Sequence, residues 1–162
     1  MGIAPLLFLA KQLKSKEKIA LIGIRNKNQV LCEKEFKDLG WYVKIATDDG
    51  SVGFKGRVTD LLINILQANR QILRRAQDAS PKDAERSRSA GKQATLYACG
   101  PKPMLKEVCS ISLKYKIPAE VSLEEHMSCG IGACLGCVVQ TKEGYKRVCK
   151  EGPVFSAKDI VW

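Results

Sequence analysis

Four of the seven cysteines in this chain, Cys129, Cys134, Cys137 and Cys149, have a spacing that can do chemistry. They read C-x4-C-x2-C, followed after eleven residues by a fourth C. Thiolates arranged this way suit a [2Fe–2S] cluster, with three ligands from one short loop and the fourth from a returning segment. The stretch from Ser128 to Cys137 carries Gly130, Gly132 and Gly136. Glycines let the backbone wrap tightly and aim N–H groups at sulfur, where side chains would obstruct. The expected chemistry is one-electron transfer.

Three other uses of cysteine compete. A structural zinc site also takes four thiolates, usually as two short Cys-x2–4-Cys hooks. Here the only short hook is Cys134/Cys137, and zinc stays as the minor alternative. A Rieske centre needs two histidines, and the chain has only His126. A disulfide framework fits poorly with an odd cysteine count and no export signal. The apolar start, Met1 to Leu9, lacks a positive n-region and is soon followed by Lys11 and Lys14, unlike a signal peptide. The cysteine usage therefore points to a reducing, cytoplasmic setting.

The chain has 162 residues, enough for one ordinary domain or a domain with a small appendage. A hydrophobic share of 45% is that of a globular protein, and no apolar run is long enough to span a bilayer. Much of the net charge of +10 lies between Arg57 and Lys92, including Arg70, Arg74, Arg75, Arg86 and Arg88. No aromatic residue falls in that interval. A nucleic-acid surface would interleave aromatics or show a docking motif, so a solvated helix face and loop is expected instead.

The elements that must position the cysteines alternate in type. The pattern is helical from Pro5 to about Lys14, with proline in the first turn, where it does no harm. Lys18–Ile24 is an apolar run of buried-strand length. A short helix with Cys32, Phe36 and Leu39 on one stripe ends at Gly40, and Tyr42–Ala46 is the next strand. After the polar turn Thr47–Ser51, a helix resumes near Arg57, its face formed by Leu61, Leu62, Ile65, Leu66, Asn69 and Ile72. Residues 76–93 read as an exposed loop or frayed helix end, and Ala94–Cys99 as a strand. Gly100-Pro101 then starts a helix with Met104, Val108, Ile111 and Tyr115 on its inner side.

This alternation predicts an α/β fold, a Rossmann-like parallel sheet with helices on its faces. Past Pro118 the style changes to short strands, glycine turns and the cysteine loop. The expected division is therefore 1–117 for a nucleotide-binding domain and 118–162 for a small cluster-binding module. Gly2-Ile3-Ala4-Pro5 looks like a strand-to-helix turn with no strand before it, so the sheet's first strand is expected to be missing. A fragment, or a late start, is the expected explanation.

A helix N-terminus reached through a glycine turn can hold an anion, because free N–H groups and the helix dipole face it. Two such turns occur, Gly2-Ile3-Ala4-Pro5 and Cys99-Gly100-Pro101, both expected at the carboxyl edge of a parallel sheet. Each alone is structural more often than functional. Together, and followed by a redox centre, they suggest a dinucleotide.

These residues resemble a known family. Gly-Ile-Ala-Pro-Leu at 2–6, Thr47–Gly53 and Tyr-Ala-Cys-Gly-Pro-Lys-Pro-Met-Leu at 97–105 are similar to the pyridine-nucleotide domain of ferredoxin reductase-like flavoproteins. Ser122–Cys137 resembles the iron–sulfur module of the electron-transfer subunits of NAD-dependent, B-type dihydroorotate dehydrogenase. The resemblance implies electron passage among NAD, FAD, a [2Fe–2S] cluster and the FMN of a partner catalytic subunit in pyrimidine biosynthesis. It implies cluster ligation by Cys129, Cys134, Cys137 and Cys149. It also implies that Gly2, Ile3, Ala4 and Pro5 abut the nucleotide. Cys99, Gly100, Pro101 and Met104 would line the nicotinamide–flavin side, with Asp48 near the nucleotide.

The family's N-terminal FAD-binding barrel has no counterpart among these residues. The chain is thus expected to bind FAD poorly alone and to act only in a complex. Neither nucleic acid nor membrane is an expected partner. Arg25 and Lys27 leave the choice between NAD and NADP open. Cys32 and Cys109 read as small buried apolar groups, with Cys99 undecided. His126 suits a supporting role, while Glu124 and Glu125 point opposite ways in an extended segment. Trp162 would pack at a seam or touch a partner. The other readings are a reductase subunit of a hydrogenase or another NAD(P)-linked flavoprotein, and a zinc-stabilised interaction module.

Overall fold

Ile19–Ile24 is uncharged and aliphatic apart from Gly23, and it forms strand β1, as its buried-strand pattern requires. The computed structural model describes residues 2–15, 17–69 and 94–162. They group into two compact units, Met1–Arg74 and Arg75–Trp162. No helix among the described residues is long and apolar enough to cross a membrane.

In the first unit, helix α1 (Ile3–Gln12) precedes β1, and helix α2 (Glu33–Asp38) leads into strand β2 (Tyr42–Thr47). β2 pairs parallel with β1, Ile19 opposite Tyr42 and Ile24 opposite Thr47, and then with the short strand β3 (Phe54–Lys55). Side chains alternate across a strand. Ala20, Ile22 and Ile24 face one way, into a core with Ala10, Phe36 and Ile45 and with Leu6 and Leu7 of α1. The opposite face receives helix α3 (Val58–Ala68), whose Val58 packs so close to Gly23 that a Cβ there would lie 2.7 Å from it. Leu61, Leu62 and Leu66 bury the same side of α3. The α3 stripe was expected to reach Ile72. That residue, the loop assigned to 76–93 and the basic cluster from Arg70 to Lys92 lie outside the described residues.

The turn after β2 is built from its side chains. The buried Thr47 hydroxyl donates to the Val52 carbonyl at 2.7 Å, and Ser51 N–H donates to the Asp49 carboxylate at 2.9 Å. Those contacts hold the Asp49 carboxyl below its usual range, the Ser51 side chain first. Gly53 closes the turn at φ +71, where a Cβ would run into the Ile45 carbonyl oxygen.

In the second unit, strand β4 (Leu96–Cys99) runs into helix α4 (Lys102–Tyr115), which returns the chain to strand β5 (Ala119–Ser122). β4 and β5 are parallel, and β5 pairs antiparallel on its other side with strand β8 (Val154–Ser156). The remaining strands, β6 (Val138–Thr141) and β7 (Gly144–Arg147), make an antiparallel hairpin. α4 ends at Lys116, in the left-handed region at φ 56. The buried Ser112 hydroxyl donates to the Ile117 carbonyl at 2.6 Å and fixes the turn into β5.

The α/β class is as the alternation implied, with two differences of detail. The strands hydrogen-bond as separate sheets, β1-β2-β3 and β4-β5-β8, with β6-β7 apart. The division expected at 117/118 falls inside the second unit, because β5 pairs with β4 and shares its core. The inner face of α4 also differs. Val108 and Ile111 are buried as expected, joined by Leu105, Cys109 and Ser112, whereas Met104 and Tyr115 are only half-buried. The stripe turned because Leu105 and Cys109 meet Val121 and Phe155 in the core.

Leu105 is 1% exposed at the centre of that core. Leu105→Ala should lower stability by about 2–5 kcal/mol, read as a drop in the urea midpoint. An unchanged midpoint would contradict this packing.

Candidate metal centre

The segment after β5 starts anchored. Leu123 is buried and donates its N–H to the Pro153 carbonyl at 2.9 Å. Glu125, largely shielded, pairs with Lys102 of α4 at 2.6 Å. From Ser128 to Cys137 the chain runs through tight turns, with Gly130 at φ +69, Gly132 at φ +81 and Leu135 at φ +57. Leucine in the left-handed region carries a local cost that the surrounding loop must hold.

The loop directs N–H groups at sulfur. Cys134 N–H donates to Cys129 Sγ at 3.5 Å, and Gly136 N–H to Cys134 Sγ at 3.4 Å. The fourth cysteine arrives by way of the hairpin. With Val138 opposite Arg147, the next residues outward are Cys137 and Val148, and Val148 N–H donates to the Cys137 carbonyl at 3.0 Å. Cys149 N–H then donates to Cys137 Sγ at 3.4 Å. The eleven-residue gap is two four-residue strands, a two-residue turn at Lys142-Glu143, and Val148.

The thiols are thus held in two pairs, Cys129 with Cys134 and Cys137 with Cys149. Among the described residues, no three His, Cys, Asp or Glu side chains are gathered as ligands of a single ion. Backbone donation by Cys134 N–H, then by Ile131 N–H, brings the Cys129 thiol down to about 6. Cys137 is lowered too, first by the Cys149 N–H and then by the Cys149 side chain. Cys149 is raised, chiefly because its thiol donates to Cys137, and the Cys129 charge adds to the rise. Burial dominates elsewhere and pushes Cys99 and Cys109 up. Cys137 is buried and Cys134 exposed, with Cys129 and Cys149 between.

Arg147, which sequence reasoning passed over, stands beside these thiols. Its guanidinium pairs with Glu151 and also donates to the Gly132 carbonyl at 3.0 Å. The pairing brings the Glu151 carboxyl down to about 2. The available signal was an arginine four residues before a glutamate, flanking Cys149. An open cleft of about 460 Å³ beside the hairpin is lined by Leu135, Val138, Tyr145 and Arg147. His126 is exposed.

The nucleotide candidates divide between the units. Gly2 caps α1, and Ile3, Ala4 and Pro5 are already helical rather than a separate turn, since proline is tolerated in a first turn. Asp48 is exposed at the carboxyl edge of the first sheet, its N–H donating to the Ile24 carbonyl at 3.2 Å. Lys27 N–H donates to Ser51 Oγ at that same edge. In the second unit, Cys99 ends β4 and is buried, Gly100 follows, Pro101 caps α4, and Met104 lies in its first turn.

Residues 124–161 match a family model described as the iron-sulfur cluster binding domain of dihydroorotate dehydrogenase B. The chain is similar over its whole length to the dihydroorotate dehydrogenase B (NAD(+)) electron transfer subunit of Caldanaerobacter subterraneus subsp. tengcongensis. That relative is 37% identical, with 100% of this chain and 56% of the relative covered. The Desulforamulus reducens subunit is 38% identical at the same coverages. That of Geobacillus sp. (strain WCH70) is 40% identical, over 99% of this chain and 54% of the relative. The chain thus spans about half the length of the curated relatives it matches. A solved structure of an NADH-dependent reduced ferredoxin-NADP oxidoreductase, reported for flavin-based electron bifurcation, aligns with a TM-score of 0.74. It is 27% identical and covers 99% of this chain and 51% of that one. A cysteine loop closed by a hairpin, in a chain alike from end to end, places this protein in the family of dihydroorotate dehydrogenase B electron transfer subunits.

Proposed function

We propose that Cys129, Cys134, Cys137 and Cys149 hold a [2Fe–2S] cluster and that the chain is an electron-transfer subunit. In this reading it connects an NAD/FAD couple to the FMN of a dihydroorotate-oxidising partner subunit. The observation that carries the reading is the return of Cys149 to Cys137 by the β6–β7 hairpin, with Cys129 and Cys134 joined in the same way by an N–H donated to sulfur. The donor set fits the group. Four thiols, arranged in two pairs and already receiving N–H groups at three sulfurs, suit two irons that each take two thiolates.

Such a cluster supplies reversible one-electron transfer. The chain's own work is to pre-orient the sulfurs and to stabilise negative charge on them. The Cys134, Gly136 and Cys149 N–H groups orient the sulfurs they donate to, and those of Cys134 and Cys149 also favour the charged form of Cys129 and Cys137. Burial of Cys137 keeps water from one side. In the first unit, Gly2, Ile3, Ala4, Pro5 and Asp48 are the proposed nucleotide contacts; in the second, Cys99, Gly100, Pro101 and Met104 are the proposed contacts of the nicotinamide–flavin side. The similarity to an NADH-dependent ferredoxin-NADP oxidoreductase supports a second reading, a reductase subunit serving a different flavoprotein. Co-purification decides between them, a barrel-type FMN protein supporting the first and its consistent absence the second.

Anaerobic reconstitution should give a red-brown protein with about two irons and about two acid-labile sulfides per chain. A colourless product with one zinc would replace this reading with an interaction module. Cys134→Ser should lose most of the iron, because a hydroxyl replaces a soft thiolate poorly. In the metal-free chain, Cys129 should alkylate fastest. With its value at about 6, it is mostly thiolate at neutral pH, and its rate should fall as pH drops through that value. Cys99 and Cys109, raised by burial, should stay slow until well above neutrality. Equal labelling of all the thiols at pH 7 would contradict the donor geometry.

A further inference from the structure

We propose that Arg147 is a positioning residue for the cysteine centre, a latch joining the loop of Cys129, Cys134 and Cys137 to the segment of Cys149. The inference rests on the cluster reading above and adds a residue to it. Arg147 closes β7, two residues before Cys149. Its Nε donates to both Glu151 carboxylate oxygens, at 3.1 and 3.0 Å, and its Nη2 donates to Oε1. Its own backbone N–H donates to Glu151 Oε2 at 2.6 Å. Glu151 therefore fixes the plane of the guanidinium, leaving Nη1 free to reach out. Nη1 donates to the carbonyl of Gly132 at 3.0 Å, fifteen residues back in the chain.

Gly132 lies between the first two cysteines, and it is buried in an otherwise exposed loop. A Cβ there would lie 3.0 Å from Lys150 Cδ and 3.4 Å from Arg147 Nη1, so the two basic side chains close over it. The peptide is planar and trans, which makes its C=O and N–H point opposite ways. Holding the Gly132 carbonyl therefore fixes the plane of the peptide that leads through Ala133 to Cys134. The next N–H along, that of Cys134, donates to Cys129 Sγ at 3.5 Å. One side chain thus grips the loop a residue short of the donor to the first cysteine while braced on the segment of the fourth. As an ion pair at a half-exposed site, Arg147–Glu151 contributes little to stability, so the significance of the contact is geometric. Lysine could not replace it, because a point charge cannot grip a carboxylate in a fork and a carbonyl together.

The test compares the wild-type chain with Arg147→Lys, Arg147→Gln and Glu151→Gln, each reconstituted anaerobically with iron and sulfide. The measurement is the rate at which visible absorbance is lost to excess chelator. Both Arg147 variants should lose the cluster about tenfold faster, the usual scale for removing a ligand-orienting group. Glu151→Gln should fall between them and the wild type. The visible circular dichroism of the Arg147 variants should change shape, while the urea midpoint of the metal-free chain stays put. Wild-type loss rates in both Arg147 variants would overturn the latch while leaving the cluster reading intact. A metal-free midpoint that falls with the loss rate would overturn it too, assigning Arg147 to fold stability. A wild-type chain that takes up no iron would sink both readings.

Discussion

The register of the β6–β7 hairpin is the constraint from which the site follows. With Val138 opposite Arg147, the pair of residues just outside the ladder is Cys137 and Val148. A slip of one residue would send every side chain to the other face and separate the sulfur of Cys149 from that of Cys137. The register is held from outside the hairpin. Val148 is fully buried in the second core, where Val139 also packs. Lys142 N–H donates to Asp159, and Val161 N–H donates to Gln140, so the chain's last residues flank β6 as well. A hydrophobic core and an edge pairing thus determine where sulfur sits.

Once the sulfurs are placed, the backbone governs their charge. Cys129 and Cys137 are depressed by N–H groups donated from the following loop or strand, and Cys149 is raised because its thiol donates to Cys137. Oriented amides stabilise a thiolate without bringing a titratable group into play. The buried Cys99 and Cys109 have the opposite bias, since for them desolvation is the largest influence. Local geometry thereby pushes thiols of identical covalent chemistry in opposite directions.

Much of this was legible in the residues because it is local. The cysteine spacing encodes a short loop and a returning segment, and the structure makes that return a hairpin. The aliphatic run at Ile19–Ile24 and the three-and-four spacing of Leu61, Leu62, Ile65 and Leu66 gave β1 and α3 their types. What resisted reading was non-local. The return of Ala119–Ser122 to pair with Leu96–Cys99 depends on partners more than twenty residues apart, and nothing in the short strand announces it. The buried face of α4 shifted to Leu105 and Cys109 because of what lay across from it, which periodicity alone does not say. Arg147 looked like one more charge in a basic chain, and its meaning came from a carbonyl on a distant loop.

Gly152 carries a consequence for how the second unit behaves as a whole. A Cβ at that position would lie 2.5 Å from the ring of Phe155 and 2.9 Å from the carbonyl oxygen of Val148. The aromatic ring of the last strand and the carbonyl just before the fourth cysteine therefore both close on this one glycine. Core packing and the Cys149 segment thus meet at a residue with no room for a side chain. Damage deep in the hydrophobic interior should accordingly displace the Cys149 thiol before secondary structure is lost.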